Sequence, residues 1–150
     1  MSKNLPTGSY QPSLHSLLNQ ANRQATADLR RVVSAEGVPV EFWRVLEVLA
    51  DERGRSMSEL AEESGMQMSA TSKLVDRMVE AALIQRSADP RDQRRVILHI
   101  SDFGLQKVNA LLGDIRQQRD RFETRFSATR ERQLRQLLAD FIRAQNQETR

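Results

Sequence analysis

The sequence between Ser58 and Ile100 decides the fold of this chain. It contains five segments with different residue patterns. In order they are SELAEESGM (58–66), MSATSKLVDRMVEAAL (68–83), IQRSA (84–88), DPRDQRR (89–95) and VILHI (96–100). The first two have helical patterns separated by a glycine turn, and the third and fifth are typical of strands. A helix that begins with short polar side chains and leads into a basic hairpin suits a DNA major groove and the adjoining minor groove. We therefore expect a sequence-specific DNA-binding module here.

Short signals in and around this stretch set the boundaries of its elements. Ser56, with Glu59 three residues later, has the spacing of a capping box and predicts a helix start. Gly65 supplies the next turn, and a second helix is expected over residues 68–82. The hairpin is expected at 83–88 and 96–100. Core-filling positions are assigned to the flexible apolar side chains Met57, Met66, Met68 and Met78.

Long amphipathic patterns flank this module on both sides. Apolar residues recur at helical spacing from Leu14 to Val32, from Val108 to Phe126 and again from Leu134 to Ile142. These stripes are too long and too one-sided for the small central module to cover. An apolar stripe with nothing inside the subunit to meet it implies a second subunit. The two ends of the chain are therefore expected to build a helical dimer interface.

Composition narrows the function without deciding it. The 150 residues carry 23 Lys and Arg against 20 Asp and Glu, a net charge of +3, which permits nucleic-acid binding without requiring it. The absence of Cys excludes disulfides and thiolate metal sites. No apolar run approaches the ~20 residues that span a bilayer, and the first residues lack the apolar stretch of a signal peptide. We expect a cytoplasmic protein with no membrane partner.

Four pieces of the sequence together resemble the MarR family of transcriptional regulators. EFWRVLEVLA (41–50) and MSELAEESGM (57–66) are similar to two of its helices in order and spacing. LVDRMVEAALIQR (74–86) resembles the end of its recognition helix and its first wing strand, and DPRDQRRVILHISDFG (89–104) resembles its wing and the entry to the next helix. Asp92-Gln93-Arg94 matches the Asp-x-Arg motif of that wing. The resemblance covers about Leu14 to Phe141, nearly the whole chain.

The resemblance implies a fold class that is mainly α with a small β-hairpin wing. It divides the chain into a flexible arm at 1–12, a winged helix-turn-helix module at 38–101, and a helical dimerisation region at 13–37 and 102–150. Two positions depart from the family pattern. Ala82 replaces a usual glycine before the first wing strand and must either avoid a positive φ or accept strain. Gln67 occupies a position where Ser or Asp would cap the helix better.

The candidate DNA contacts fall into two groups. On the recognition helix they are Ser69, Ala70, Thr71, Ser72, Lys73 and Arg77, short or cationic side chains that suit base edges and phosphates. On the wing they are Arg91, Asp92, Arg94 and Arg95. The resemblance implies that Arg94 enters the minor groove while Asp92 holds an arginine in bidentate geometry. Arg77 is expected either to contact phosphate or to pair with Asp92. The alternative is a solvated helix face beside a mobile charged loop.

Three residues are candidates for binding a small-molecule effector. In the MarR family effectors bind between the dimer helices and the winged module, and Trp43, Arg44 and His15 have suitable positions and chemistry for an aromatic carboxylate. The alternative for Trp43 is that it packs between the two modules. His99 alternates with Leu98 and Ile100 and is expected to face solvent or DNA. Two histidines without cysteine make a poor metal site, so no metal or cofactor is expected.

These residues favour a homodimeric DNA-binding regulator, a repressor released by an effector, with a palindromic operator as its partner. The chain contains no Ser/His/Asp arrangement, Gly-rich phosphate loop or metal cluster, so an enzyme is not expected. Two alternatives stay open at this point: a small-molecule-binding protein, and an architectural DNA-binding protein without operator specificity.

Overall fold

The computed structural model describes residues 11–148, and they form six α-helices and one hairpin. In chain order the elements are α1 (Leu14–Val33), α2 (Val40–Leu49), α3 (Met57–Ser64), α4 (Met68–Glu80), β1 (Ile84–Ala88), β2 (Val96–Ile100), α5 (Asp102–Phe126) and α6 (Ala128–Glu148). A 3-10 turn over Ser34–Glu36 follows α1. The fold class is confirmed: a mainly helical chain carries one antiparallel pair, with Ile84 opposite Ile100 and Ala88 opposite Val96. Most of the predicted N-terminal arm, residues 1–10, lies outside the described residues.

The core lies where α2 meets the helix-turn-helix and the hairpin. Apolar residues of α2 recur so densely that almost every face of it is covered, and Val45, Leu46 and Leu49 have no exposed surface. The cluster also includes residues of the other elements: Val33, Val38, Leu60, Leu74, Val75, Met78, Leu83, Ile84, Leu98, Val108 and Leu111. Burial of these side chains fixes how α4 and the hairpin are held together.

The outer helices leave most of their apolar side chains uncovered. Along α6, Leu137 is 66% exposed and Ile142 is 57% exposed. The same holds for Leu14 and Leu17 at the start of α1 and for Phe122 and Phe126 at the end of α5. The break between α5 and α6 falls at Ser127, whose φ is +76°. No helix within residues 11–148 is long and apolar enough to cross a membrane.

Helix ends follow the sequence signals closely. The capping box is confirmed, since the Ser56 backbone N–H donates to Glu59 Oε2 at 2.8 Å and the Glu59 N–H donates to Ser56 Oγ at 3.3 Å. After α3 the chain turns through Gly65 at φ +68°. There the N–H of Met66 donates to the carbonyl of Ala61 and that of Gly65 to Glu62, the hydrogen bonds of a Schellman motif.

Candidate nucleic-acid interface

One face of α4 packs on the core and the other is open to solvent. Leu74, Val75 and Met78 are buried, whereas Ser69, Ala70, Ser72, Lys73 and Arg77 are exposed, so the predicted DNA contacts at these five positions stay a prediction. Thr71 is a correction. Its side chain has no exposed surface, and its hydroxyl donates to the Gln67 carbonyl at 2.9 Å. It lies on the buried side of the helix with Leu74 and Met78, so it stabilises the first turn and does not face a groove.

Met68 is also placed differently from its prediction. The sequence assigns all four methionines in this region to the core, and Met78 is indeed fully buried. Met68, the first residue of α4, is 49% exposed instead. The preceding residue, Gln67, has the backbone conformation of an N-cap, but its side chain makes no capping hydrogen bond. Gln67 and Met68, at the beginning of the predicted recognition helix, are therefore both exposed, and Gln67 makes no capping hydrogen bond.

An ion pair that the sequence did not suggest joins α4 to the wing. Asp76, on the exposed face of α4, accepts a hydrogen bond from the guanidinium of Arg86 on β1. A carboxylate on that face would repel phosphate, and its pairing with Arg86 neutralises it. The pair is exposed, so it stabilises the fold by under ~1 kcal/mol, and its larger effect is on local charge.

Arg77 makes a contact within the protein that was not predicted. Its guanidinium carbon stands 5.3 Å from the centre of the Phe42 ring, a cation–π arrangement with α2. Within residues 11–148 its guanidinium has no ion pair with Asp92. Because Arg77 remains exposed at the edge of α4, it can still reach a phosphate from this position. The ion pair between α4 and the wing that was expected from Arg77 and Asp92 is instead formed by Asp76 and Arg86.

The wing loop is an ordered double turn. In the first turn the Asp92 N–H donates to the Asp89 carbonyl at 3.2 Å, and in the second the Arg95 N–H donates to the Asp92 carbonyl at 2.9 Å. Each turn begins with an aspartate whose carboxylate accepts the N–H two residues later: Arg91 to Asp89 at 2.8 Å and Arg94 to Asp92 at 3.0 Å. Side-chain turns of this kind are the reason that Asp is favoured there. These hydrogen bonds give the loop a defined conformation.

This geometry corrects the predicted role of Asp92. Its carboxylate receives the main-chain N–H of Arg94 rather than a guanidinium, so it shapes the loop instead of clamping an arginine. The guanidinium groups of Arg91 and Arg94 are exposed and make no hydrogen bond or ion pair with the rest of the described chain. Arg95 is exposed too, and it lies near enough to Glu59 to contribute to that residue's lowered pKa, which the Ser56 N–H causes in the main. The wing loop therefore carries three exposed cations.

The base of the wing is anchored through Arg55. Its backbone pairs with Leu98 of β2, with N–H to carbonyl distances of 2.9 and 2.7 Å, and extends the hairpin by one residue of a third strand. Its guanidinium donates to Asp51 at 2.9 Å and to both carboxylate oxygens of Glu63 at 3.0 Å. The hydrogen bond from Arg55 holds the pKa of Asp51 at about 2. Arg55 thereby joins β2, through its backbone, to the segment after α2 and to the end of α3, through its side chain.

The junction of α4, the hairpin and α5 is close-packed. Ala82 follows α4 with φ +58°, so it accepts the left-handed conformation that the sequence marked as a possible strain. The Ser101 hydroxyl donates to the Ala82 carbonyl at 2.6 Å and also accepts the N–H of Gly104 at 2.9 Å. A Cβ on Gly104 would stand 2.2 Å from the Leu83 carbonyl oxygen. Glycine is required at that position for α5 to approach the hairpin.

The candidate effector residues do not come together. Trp43 is 3% exposed and belongs to the core cluster, so its packing alternative describes it correctly. His15 is exposed at the start of α1 and shares a hydrogen bond with Asn19. Arg44 is half-buried and donates to Thr26 of α1 at 3.3 Å. His99, expected to face solvent or DNA, is half-buried, with its ring against the backbone of Gly54.

Of those candidates, Arg44 alone lines a cavity between α1, α2 and α3. The cavity has a volume of about 310 Å³ and is open to solvent, and its lining residues are Asn22, Arg44, Glu47, Val48, Glu63, Ser64 and Gly65. Desolvation raises the pKa of Glu47, and Arg135 of α6 acts in the opposite direction. The lining is mainly polar and includes one guanidinium and two carboxylates, of which Glu63 is already paired with Arg55. No cluster of metal-ligating side chains occurs within residues 11–148.

Comparison with known proteins agrees with this architecture. A model of the MarR family matches residues 36–95, which include α2, the helix-turn-helix, β1 and the wing loop. A putative transcriptional regulatory protein for the hcr operon of Thauera aromatica is 32% identical over 98 residues, which cover 65% of this chain and 59% of that protein. The homoprotocatechuate degradative operon repressor of Escherichia coli is 25% identical over 130 residues, covering 87% and 88% of the two chains.

A solved structure gives the same result over almost the full fold. The transcriptional regulator PA4135 superposes with a TM-score of 0.80 at 26% identity, covering 87% of this chain and 96% of that one. The chain is therefore similar to the MarR family over residues 36–95, and the proteins that it resembles are named as transcriptional regulators. The family resemblance inferred from the sequence is confirmed.

Proposed function

We propose that the protein is a homodimeric repressor that binds a palindromic operator and is released by a small-molecule effector. The observation that carries this proposal is the juxtaposition of the wing tip with the open face of α4. Arg91, Arg94 and Arg95 are exposed on a loop held by its own hydrogen bonds, and Asp76, a carboxylate on the open face of α4, is neutralised by Arg86. A recognition helix suits the major groove, and an arginine-bearing wing suits the flanking minor groove.

Dimerisation follows from the uncovered outer helices. The exposed apolar side chains of α6 and of the ends of α1 and α5 form a surface that a single subunit leaves in water. A second copy would bury them around a two-fold axis. Two copies of α4 would then read two half-sites about one helical turn apart, ~10 bp from centre to centre, which predicts a palindromic operator.

Effector release is proposed through the cavity between α1, α2 and α3. It joins a helix of the dimerisation region to two helices of the winged module, so a ligand there would favour one relative arrangement of the two. Arg44 is suited to a carboxylate. The E. coli relative is named as repressor of an operon that degrades homoprotocatechuate, an aromatic acid, which supports an aromatic acid or a related compound as effector. His15 and Trp43 do not line this cavity.

Binding to the duplex upstream of its own gene tests the proposal. Fluorescence anisotropy with a labelled fragment, repeated from 50 to 300 mM salt, measures affinity and its salt dependence. We expect a steep loss of affinity with salt, because each displaced phosphate counterion adds about −0.9 to the slope of log K against log salt. Arg94→Ala should weaken specific binding at least tenfold.

Arg116→Ala is the matched control for this experiment. It removes the same charge from an exposed position roughly 20 Å along α5 from the wing, and within residues 11–148 it breaks no hydrogen bond. We expect it to bind as the wild type does. Equal losses in both variants, or identical affinity for the promoter fragment and a scrambled duplex, would point instead to binding without operator specificity.

A further inference from the structure

Gln67 and Met68 stand at the beginning of α4 with no role in the fold that accounts for them. Both are exposed, and the amide of Gln67 makes no hydrogen bond with the described chain. Three other helices begin differently. At α1, α3 and α5 a serine occupies the N-cap, and the side chains of Ser13, Ser56 and Ser101 each accept a backbone N–H. At α4 alone among these four, a longer side chain occupies the N-cap without capping.

The backbone at Gln67 is fully suited to a capping residue. Its φ of −72° and ψ of 147° are close to those of Ser56, at −67° and 165°. Serine or aspartate in this conformation would satisfy an N–H of the first turn and stabilise the helix. In its place, the buried Thr71 hydroxyl reinforces the turn by donating to the Gln67 carbonyl. The first turn is thus held from the core side, and the Gln67 amide remains available.

From this arrangement we infer that Gln67 and Met68 are specificity-determining residues that read an A·T step in each half-site. A primary amide matches adenine N6 and N7 with two hydrogen bonds, and an exposed thioether side chain matches the C5 methyl of thymine. The first turn of a recognition helix is the part that contacts base edges. Met68 loses exposed apolar surface in that contact, which explains why a residue 49% exposed in the free protein is apolar.

The inference rests on the proposed operator binding. It also predicts a loss of protein stability that can be measured separately from DNA binding. An N-cap without a capping side chain leaves α4 less stable than it could be. Gln67→Ser should therefore raise the melting temperature by a few °C. The same substitution should abolish the preference for adenine at one position of each half-site, by about tenfold or more. Gain of stability with loss of discrimination is not expected of a residue with a merely structural role.

Selection of binding sites from a randomised duplex library, followed by sequencing, measures this with the full-length protein. The chains compared are the wild type, Gln67→Ser, Met68→Ser and Gln106→Ser. Gln106 is an exposed glutamine on α5 that serves as the matched control. We expect Gln106→Ser to keep the wild-type motif, Gln67→Ser to lose one adenine preference, and Met68→Ser to lose a thymine preference at the same or the adjacent pair.

Two results would overturn the inference. If both variants select the full wild-type motif, neither side chain reads a base. If Gln67→Ser loses affinity equally for every duplex and its salt slope falls, Gln67 contacts phosphate instead. Failure of the proposed function has a different signature, because the wild type itself would then enrich no motif.

Discussion

Replacing Ala82 with glycine should stabilise the protein, and the structure allows the size of the effect to be estimated. Ala82 ends α4 in a Schellman motif: its own N–H donates to Val79 and that of Leu83 to Met78, both at 2.9 Å. Its φ is +58°. The equivalent position after α3 is held by Gly65 at φ +68°. The chain therefore contains the same turn twice, once with the residue that favours this conformation and once without it.

Two opposing contributions set the magnitude. A left-handed conformation costs a residue with a Cβ about 1–2 kcal/mol. Replacing alanine with glycine also destabilises the folded state by about 0.4–1 kcal/mol, because the unfolded chain gains conformational freedom. Since the Ala82 side chain is exposed, removing its methyl group sacrifices little buried surface. The net gain for Ala82→Gly is therefore about 0.5–1 kcal/mol, or roughly 1–4 °C in melting temperature for a chain of this size.

Thermal and urea unfolding followed by circular dichroism provide the assay, at one fixed protein concentration because the stability of the proposed dimer would depend on that concentration. Gly65→Ala is the reciprocal control. A Cβ built there has no neighbour within 4 Å, so the substitution isolates the backbone term and should lose a similar amount. The reasoning is refuted if Gly65→Ala destabilises as expected while Ala82→Gly leaves stability unchanged or lowers it.

The remaining predictions concern the wing, the junction, the dimer and acid stability. Asp92→Asn should keep operator affinity in anisotropy, because an amide oxygen can still accept the Arg94 N–H, whereas Asp92→Ala should lose it; equal losses would favour an ion-pair role. Gly104→Ala should cost several °C in melting temperature, because its Cβ would stand 2.2 Å from a carbonyl oxygen. Leu137→Glu should convert a dimer into a monomer in light scattering, and an unchanged mass would exclude α6 from the interface. Asp51 has its pKa held at about 2 in the fold, so its stabilising effect is complete above its ordinary pKa near 4 and is lost as pH falls towards 2; the difference in stability between Asp51→Asn and wild type should shrink over that interval.

Features that depend on local sequence were predicted well. The capping box at Ser56, the turn at Gly65 and the limits of the wing loop at 89–95 each follow from residues close together in the chain. The outer stripes were also predicted to be uncovered, and Leu137 and Ile142 are exposed as expected. Periodicity identifies the apolar face of a helix without knowledge of what it meets.

Features that depend on tertiary placement were predicted poorly. A short hydroxyl suits both a groove and a core, and nothing local distinguishes Thr71, which is buried, from Ser72, which is exposed. Met68 and Met78 both belong to α4, but only Met78 is buried in the core. Met68 is the first residue of the helix and remains half exposed. The Asp76–Arg86 pair joins two elements, and its signal in the sequence was weak: an unassigned arginine two residues into β1. Trp43 proved to be a core residue because α2 is covered on nearly all sides.

Close contact between Gly104 and the Leu83 carbonyl leaves the wing and α5 no room to slide past each other. The 25-residue α5 is about 37 Å long, and its N-terminal end is packed tightly against the hairpin. A tilt of about 5° would displace one end by about 3 Å relative to the other. In the proposed dimer, small movements of the outer helices would therefore be transmitted to both copies of α4 and would change the distance between them.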